Sequence, residues 1–233
     1  IDGAGKSTQL KRLGMALRAR GRDVVELKEP TEGPHGQELR RLQSQGRRAN
    51  PRRERDLFKL DRMDDARLNI LPALERGAVV LLDRYYLSTM AYQGALGFDP
   101  EAIRKENEAF APRPDLAIVF DLPLEEALRR VAERRGGQAD AFERADTLRR
   151  AKAIFDSLGD PWIFRVDARR GEDEIHPVAV VDPRSVGKVP GGHRNPLGDG
   201  DSQRRRVLAL HPRAGHLPNA GHPGRDGVGV HLQ

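Results

Sequence analysis

Ile1-Asp2-Gly3-Ala4-Gly5-Lys6-Ser7-Thr8 opens the chain. It closes as a phosphate-binding loop closes, on the G-K-[ST] of G-x-x-x-x-G-K-[ST]. The pattern's first glycine falls one position before Ile1, and the strand that delivers such a loop falls there too. A triphosphate needs close backbone approach, and Gly3 and Gly5 carry no side chain to obstruct it. Successive N–H groups around Ala4 then point at phosphate oxygens, with the positive end of the next helix behind them. Lys6 reaches the transferring phosphates as a point charge, the Ser7 hydroxyl holds Mg²⁺, and Thr8 completes the ATP-binding set with Asp2 and the loop. A glycine turn before an ordinary helix is the alternative. The G-x-G-K-S-T string rarely arises by chance, and Leu10, Leu13 and Leu17 follow at helical spacing with Gly21 as a stop.

The length of 233 residues fits one domain, or a domain with an appendage. No run is long enough to span a membrane, and no signal-peptide pattern stands at the start. Cysteine is absent, which excludes disulfides and thiolate metal sites. A cytoplasmic protein with no membrane partner is expected. The net charge of +6 comes from 41 basic against 35 acidic residues, mostly interleaved rather than gathered in a stripe. Aromatics make up 5%, little surface for base stacking, so nucleic acid is not the expected partner.

Residues 1–176 alternate helix and strand signals. Asp23–Leu27 reads as a strand and 53–71 as a long helix, with Pro72 bending or ending it before Gly77. Ala78-Val79-Val80-Leu81-Leu82-Asp83 and Leu116-Ala117-Ile118-Val119-Phe120-Asp121 are continuous apolar runs that end in a carboxylate, as strands buried on both faces of a parallel sheet do. Residues 123–135 and 144–158 are helical by pattern, and Trp162–Asp167 is a last strand. The class is α/β with a parallel sheet. Residues 177–233 differ. They hold 10 Gly and 7 Pro and keep no period for long, which predicts a disordered tail, or a segment read out of frame in a GC-rich gene. Its five histidines have neither a known ligand spacing nor a carboxylate cluster to make a metal site.

A second string begins where a buried strand ends: Asp83-Arg84-Tyr85-Tyr86-Leu87-Ser88-Thr89-Met90-Ala91-Tyr92-Gln93-Gly94. In open parallel sheets, ligands sit beyond the carboxyl ends of the strands. Asp83 is placed to approach a metal ion or its water shell, and Arg84 to fork onto a phosphate. The D-R-[YFH]-x-x-S-x-x-A-Y-Q-G pattern, together with D-G-A-G-K-S-T, resembles the bacterial thymidylate kinases over residues 1–170. The resemblance implies a P-loop three-layer α/β/α domain, with a parallel sheet of about five strands whose first strand is missing from this chain. It implies transfer of the terminal phosphate of ATP to thymidine monophosphate with Mg²⁺, and a homodimer.

The resemblance also carries site residues. Lys28-Glu29-Pro30-Thr31 stands where these kinases carry R-E-P-G, and Arg40 follows as a grip on the substrate phosphate. Leu57-Phe58-x-x-x-Arg62 resembles their L-F-x-x-x-R helix. Phe58 and Arg62, four apart, share a helix face, so Phe58 can stack on a pyrimidine while Arg62 reads its edge. A core Phe beside a surface Arg is the alternative. Thr89 would face the base, Tyr92 would crowd the sugar's 2′ position, and Glu29, Ser88 and Gln93 would complete the substrate-binding set. Asp2 would approach the sugar or the metal shell. Arg84 would bridge the reacting phosphates. Arg134 and Arg135 fall in the lid, where a catalytic arginine is needed because Ala4 occupies the alternative P-loop position. Lys28 for Arg, Thr31-Glu32 for a glycine pair and Ala141 for Arg depart from the pattern. They leave open another deoxynucleoside monophosphate as substrate, and the missing first strand leaves open a non-catalytic nucleotide-binding remnant. No N-K-x-D guanine-reading string supports a GTPase.

Overall fold

The computed structural model describes residues 6–44, 50–126, 129, 141–169 and 206–215. Helix α1 (Lys6–Ala19) leads into β1 (Val24–Lys28), α2 (Pro34–Ser44) and α3 (Pro51–Asp65). A π turn (Ala66–Ile70) continues into α4 (Leu71–Glu75) and β2 (Val79–Asp83). There follow α5 (Tyr86–Gly94), α6 (Pro100–Glu108), β3 (Leu116–Pro123), α7 (Ala141–Ser157), β4 (Ile163–Asp167) and β5 (Arg206–Gly215).

Local chemistry sets these boundaries. Gly21, at φ 72°, ends α1 in the left-handed turn that glycine tolerates, and Arg22 N–H returns to Leu17 O. Asn50 caps α3 by accepting from Arg52 N–H, with Pro51 in the first turn. Asp99 and Pro100 start α6 in the same way. Pro72 does not end the long helix. It lies in the first turn of α4, just past the π turn, so the chain runs helically from Pro51 to Glu75. A wider turn absorbs the missing N–H that would otherwise break the ladder.

The strands pair in parallel in the order β1-β2-β5-β3-β4. Every residue of β2 is buried, because both faces of the sheet are covered. Val80, Leu82, Ala117 and Val119 join one apolar cluster with Ile70, Leu87, Met90 and Phe155. Val79, Leu81, Ile118 and Phe120 alternate to the other face and pack with Leu10, Leu13 and Leu17 of α1. The sequence predicts no strand in 177–233, yet Arg206–Gly215 pairs with β2 on one side and β3 on the other. Its apolar run, Val207–Leu210, is only four residues long, and Pro212 argues against an interior strand. The contradiction resolves in the register: β2 ends at Asp83 opposite Leu210, so Pro212 lies beyond it with β3 alone alongside. The rest of the predicted tail lies outside the described residues.

Between β1 and α2 the chain turns tightly. Glu29-Pro30 is a cis peptide. Thr31 donates to Asp61 through its N–H (2.8 Å) and its hydroxyl (2.7 Å), and Gly33 N–H returns to Thr31 Oγ1 at 3.0 Å. Gly36 is packed so closely that a Cβ would sit 2.0 Å from Thr31 O and 2.9 Å from Asp61 Oδ1. Gly36→Ala is therefore expected to destabilise the fold by about 1–3 kcal/mol. Urea denaturation measures it, and an unchanged midpoint would mean that the turn shifts freely.

Candidate active site

Two elements meet at the carboxyl end of β2. Ser7, in the first turn of α1, donates its hydroxyl to Asp83 Oδ2 at 2.7 Å. The two sequence strings, 76 positions apart, are thereby brought together, with Lys6 and Arg84 each one residue from the contact. Lys6 and Asp83 are buried. The other carboxylate oxygen, Asp83 Oδ1, is buried with no hydrogen-bond partner among the described residues. Arg84, half-buried, is held at φ 75°, a left-handed conformation that a non-glycine residue adopts at a cost. Its guanidinium lies 5.9 Å from the centroid of the Tyr92 ring, and Tyr92 meets Phe155 edge-on at 6.5 Å.

A second cluster sits behind this edge. Glu29 N–H donates to Asp83 O at 3.2 Å, so the residue after β1 is tied to the end of β2. The Glu29 carboxylate is buried and grips Arg62 of α3 in a side-on fork, accepting from Nε at 2.9 Å and also from Nη2. Arg62 is not a surface arginine; it is 1% exposed. Its Nη1 donates to Asn107 Oδ1 at 2.7 Å and its Nη2 to Thr89 Oγ1 at 3.1 Å, while the Tyr85 ring lies 5.2 Å from its central carbon. Phe58, one helical turn before Arg62, is half-buried. Ser88, Thr89 and Gln93 are buried in α5, and Gln93 Oε1 has no partner among the described residues.

Arg40 is half-buried on α2. It donates to Pro30 O at 3.1 Å and to exposed Glu32 at 2.7 Å. Glu32, which replaces glycine in the expected pattern, therefore holds one arm of this guanidinium. Asp2, Gly3, Ala4, Gly5, Arg134 and Arg135 lie outside the described residues. Sequence reasoning missed Asp61 and Asn107. Asp61 reads as one more charge in a charged helix, and Asn107 has only its i, i+4 spacing from Ile103 to mark it as inward-facing.

Electrostatics separates the two clusters. Three carboxylates (Glu29, Asp61 and Asp65) share the neighbourhood of one guanidinium. Burial pushes the Glu29 carboxyl up to about 7, against the opposing pull of Arg62. Burial also raises Asp65.

The whole front of the chain matches the family model described as thymidylate kinase, over residues 1–178. The chain belongs to the thymidylate kinase family. It is 43% identical over 188 residues to the thymidylate kinase of Desulfotalea psychrophila, covering 81% of this chain and 93% of that one. It is 46% identical over 175 residues to the thymidylate kinase of Akkermansia muciniphila, covering 75% and 84%. A probable thymidylate kinase of Archaeoglobus fulgidus is 42% identical over 175 residues, covering 75% and 87%. Among the described residues no helix is long and apolar enough to cross a membrane.

The Glu29 shift has a signed consequence. Between pH 4.5 and about 7 the folded chain keeps a proton that the unfolded chain has lost. This group's contribution to stability is full below the lower value and is lost as pH rises through the upper one. Glu29→Gln removes the titration. The stability difference, wild type minus variant, is expected to fall between about pH 5 and about pH 8 in urea unfolding. A difference constant across that range would refute the shift.

Proposed function

We propose that this chain transfers the γ-phosphoryl group of ATP to thymidine 5′-monophosphate, giving ADP and thymidine diphosphate. The observation that carries the reading is the Ser7–Asp83 hydrogen bond, which unites a phosphate loop and an acceptor-site string in one place. The frame is the three-layer P-loop domain, with phosphates at the carboxyl edge of its five-stranded parallel sheet. An oxygen of the acceptor monophosphate attacks the γ-phosphorus, and the bond from that phosphorus to the β,γ-bridging oxygen breaks. Little covalent chemistry falls to the protein, so positioning and charge stabilisation carry the rate.

Each residue then has a task. The loop of Gly3, Ala4 and Gly5 binds the ATP phosphates through backbone N–H groups. Lys6 neutralises charge on the transferring group. Arg84 bridges donor and acceptor phosphates, and its strained backbone aims it there. Arg134 and Arg135 close from the lid. Arg40 grips the acceptor phosphate, Phe58 stacks on the base, Arg62 and Thr89 meet its edge, and Tyr92 excludes a 2′-hydroxyl. Ser88 and Gln93 line the same helix. Asp2 supports the sugar or the metal shell.

The donor set fits Mg²⁺. A hydroxyl and a buried carboxylate with one unpartnered oxygen suit a hard cation that keeps most of its ligands as water and phosphate. Ser7 and Asp83 would hold it, and when bound it neutralises charge on the β- and γ-phosphate oxygens. Lys28, Thr31 and Glu32 favour testing a second acceptor, because they alter the loop beside the monophosphate. An ATP-dependent assay with dTMP, dUMP and dCMP, with and without Mg²⁺, separates the readings. Preference for dTMP supports the proposal, and turnover of none of the three overturns it.

Lys6→Ala is expected to lower kcat by about 3 kcal/mol of transition-state stabilisation; unchanged steady-state rates would remove Lys6 from the mechanism. Arg84→Gly should split stability from activity. The φ of 75° suits glycine, so the folded state should hold or gain about 1 kcal/mol while turnover collapses. Parallel loss of both would show that Arg84 serves the fold instead.

A further inference from the structure

Asn107 is an uncharged side chain, 2% exposed, near the end of α6, and neither sequence string contains it. Both ends of its amide are engaged. Nδ2 donates to Ile103 O at 2.7 Å, and Oδ1 accepts from Arg62 Nη1 at 2.7 Å. The two contacts lock its orientation, because a flipped amide would set an NH₂ group against a guanidinium that is itself all donors.

Arg62 has five N–H donors. Glu29 takes Nε–H and one Nη2–H, Thr89 takes the other Nη2–H, and Asn107 takes one Nη1–H. One Nη1–H is left among the described residues. Thr89 Oγ1 is already accepting, which turns its own proton away from Arg62. We propose that Asn107 is a positioning residue: it fixes which single N–H of Arg62 faces the nucleobase, and so selects a pyrimidine with a carbonyl oxygen at C4 over one with an amino group there. This rests on reading Arg62 as a base contact. A lone N–H held in a buried, pre-set direction pairs with a carbonyl and meets an amino group as donor against donor. Without the Asn107 acceptor a second Nη1 proton loses its partner, so no single N–H is singled out, and the guanidinium is left with Glu29 and Thr89 alone to orient it.

The test measures kcat/KM for dTMP and dCMP, KM for ATP and thermal stability in Asn107→Leu, Asn107→Ala and Asn107→Asp, with Arg62→Lys alongside. Asn107→Leu and Asn107→Ala are expected to lower the dTMP-to-dCMP ratio by about tenfold or more, mainly through KM for the monophosphate, with KM for ATP unchanged. Asn107→Asp keeps an acceptor for Arg62, adds a negative charge beside it, and replaces the donor to Ile103 O with a second acceptor. It should be less stable yet retain the ratio within about twofold. The inference is overturned if Asn107→Ala slows both acceptors by one common factor, or if Asn107→Asp loses the ratio as fully as Asn107→Ala. Arg62→Lys tells the two failures apart. If it leaves dTMP kinetics untouched, the base-contact reading itself is wrong. If it weakens dTMP while the Asn107 variants keep the ratio, only the role of Asn107 falls. Should Asn107→Leu not fold, the Ala and Asp variants still decide the question.

Discussion

The hydrogen bond from Ser7 to Asp83 is the constraint on which the site depends. It joins the start of a helix on one face of the sheet to the end of a fully buried strand. The strand partner is held in place, because β2 is packed on both faces. A parallel sheet ends its strands in line, so the residues that follow those ends gather along one edge. Glu29 after β1 and Arg84 after β2 are neighbours for that reason, and the N–H of Glu29 reaching the carbonyl of Asp83 fixes the spacing between them.

Behind the edge, the Glu29–Arg62 pair raises a question of cost. Taking both charges out of water costs more than their attraction returns unless the remaining donors and acceptors are also satisfied. Thr89, Asn107 and the Tyr85 ring supply that satisfaction. Lysine could not replace arginine here. A point charge has no fork for Glu29 and no second edge with which to meet Thr89 and Asn107 at once. The pair is thus poor evidence of stability and good evidence that direction matters at this position.

What could be read from the sequence follows the same physics. The phosphate loop and the Asp83–Gly94 string are legible because the chemistry restricts residue type position by position. Strands β2 and β3 are legible as unbroken apolar runs, since burial on both faces leaves no polar alternation. Strand β5 was not legible: four apolar residues followed by His-Pro carry too little signal, and only the register explains how Pro212 is tolerated. The burial of Arg62 was not legible either. Its partners lie 33, 27 and 45 positions away, and a charged residue in a charged helix gives no sign of which neighbours the fold will bring.

The two clusters answer different demands. At the carboxyl end of β2, Asp83 Oδ1 is left unpartnered among the described residues and Arg84 is held in a costly conformation. Both are unfavourable for an isolated fold and useful where charge must be gathered from outside. Around Arg62, by contrast, nearly every donor is already taken. A site for a flat, neutral ring benefits from this second arrangement, because a group that is fixed before binding loses little entropy when the ligand arrives. A site for a multiply charged phosphate benefits from the first, because the ligand and its counter-ion bring the missing partners with them. On the proposed function, recognition of the base is thus built into the folded chain, whereas neutralisation of the phosphates is completed only when the substrates bind.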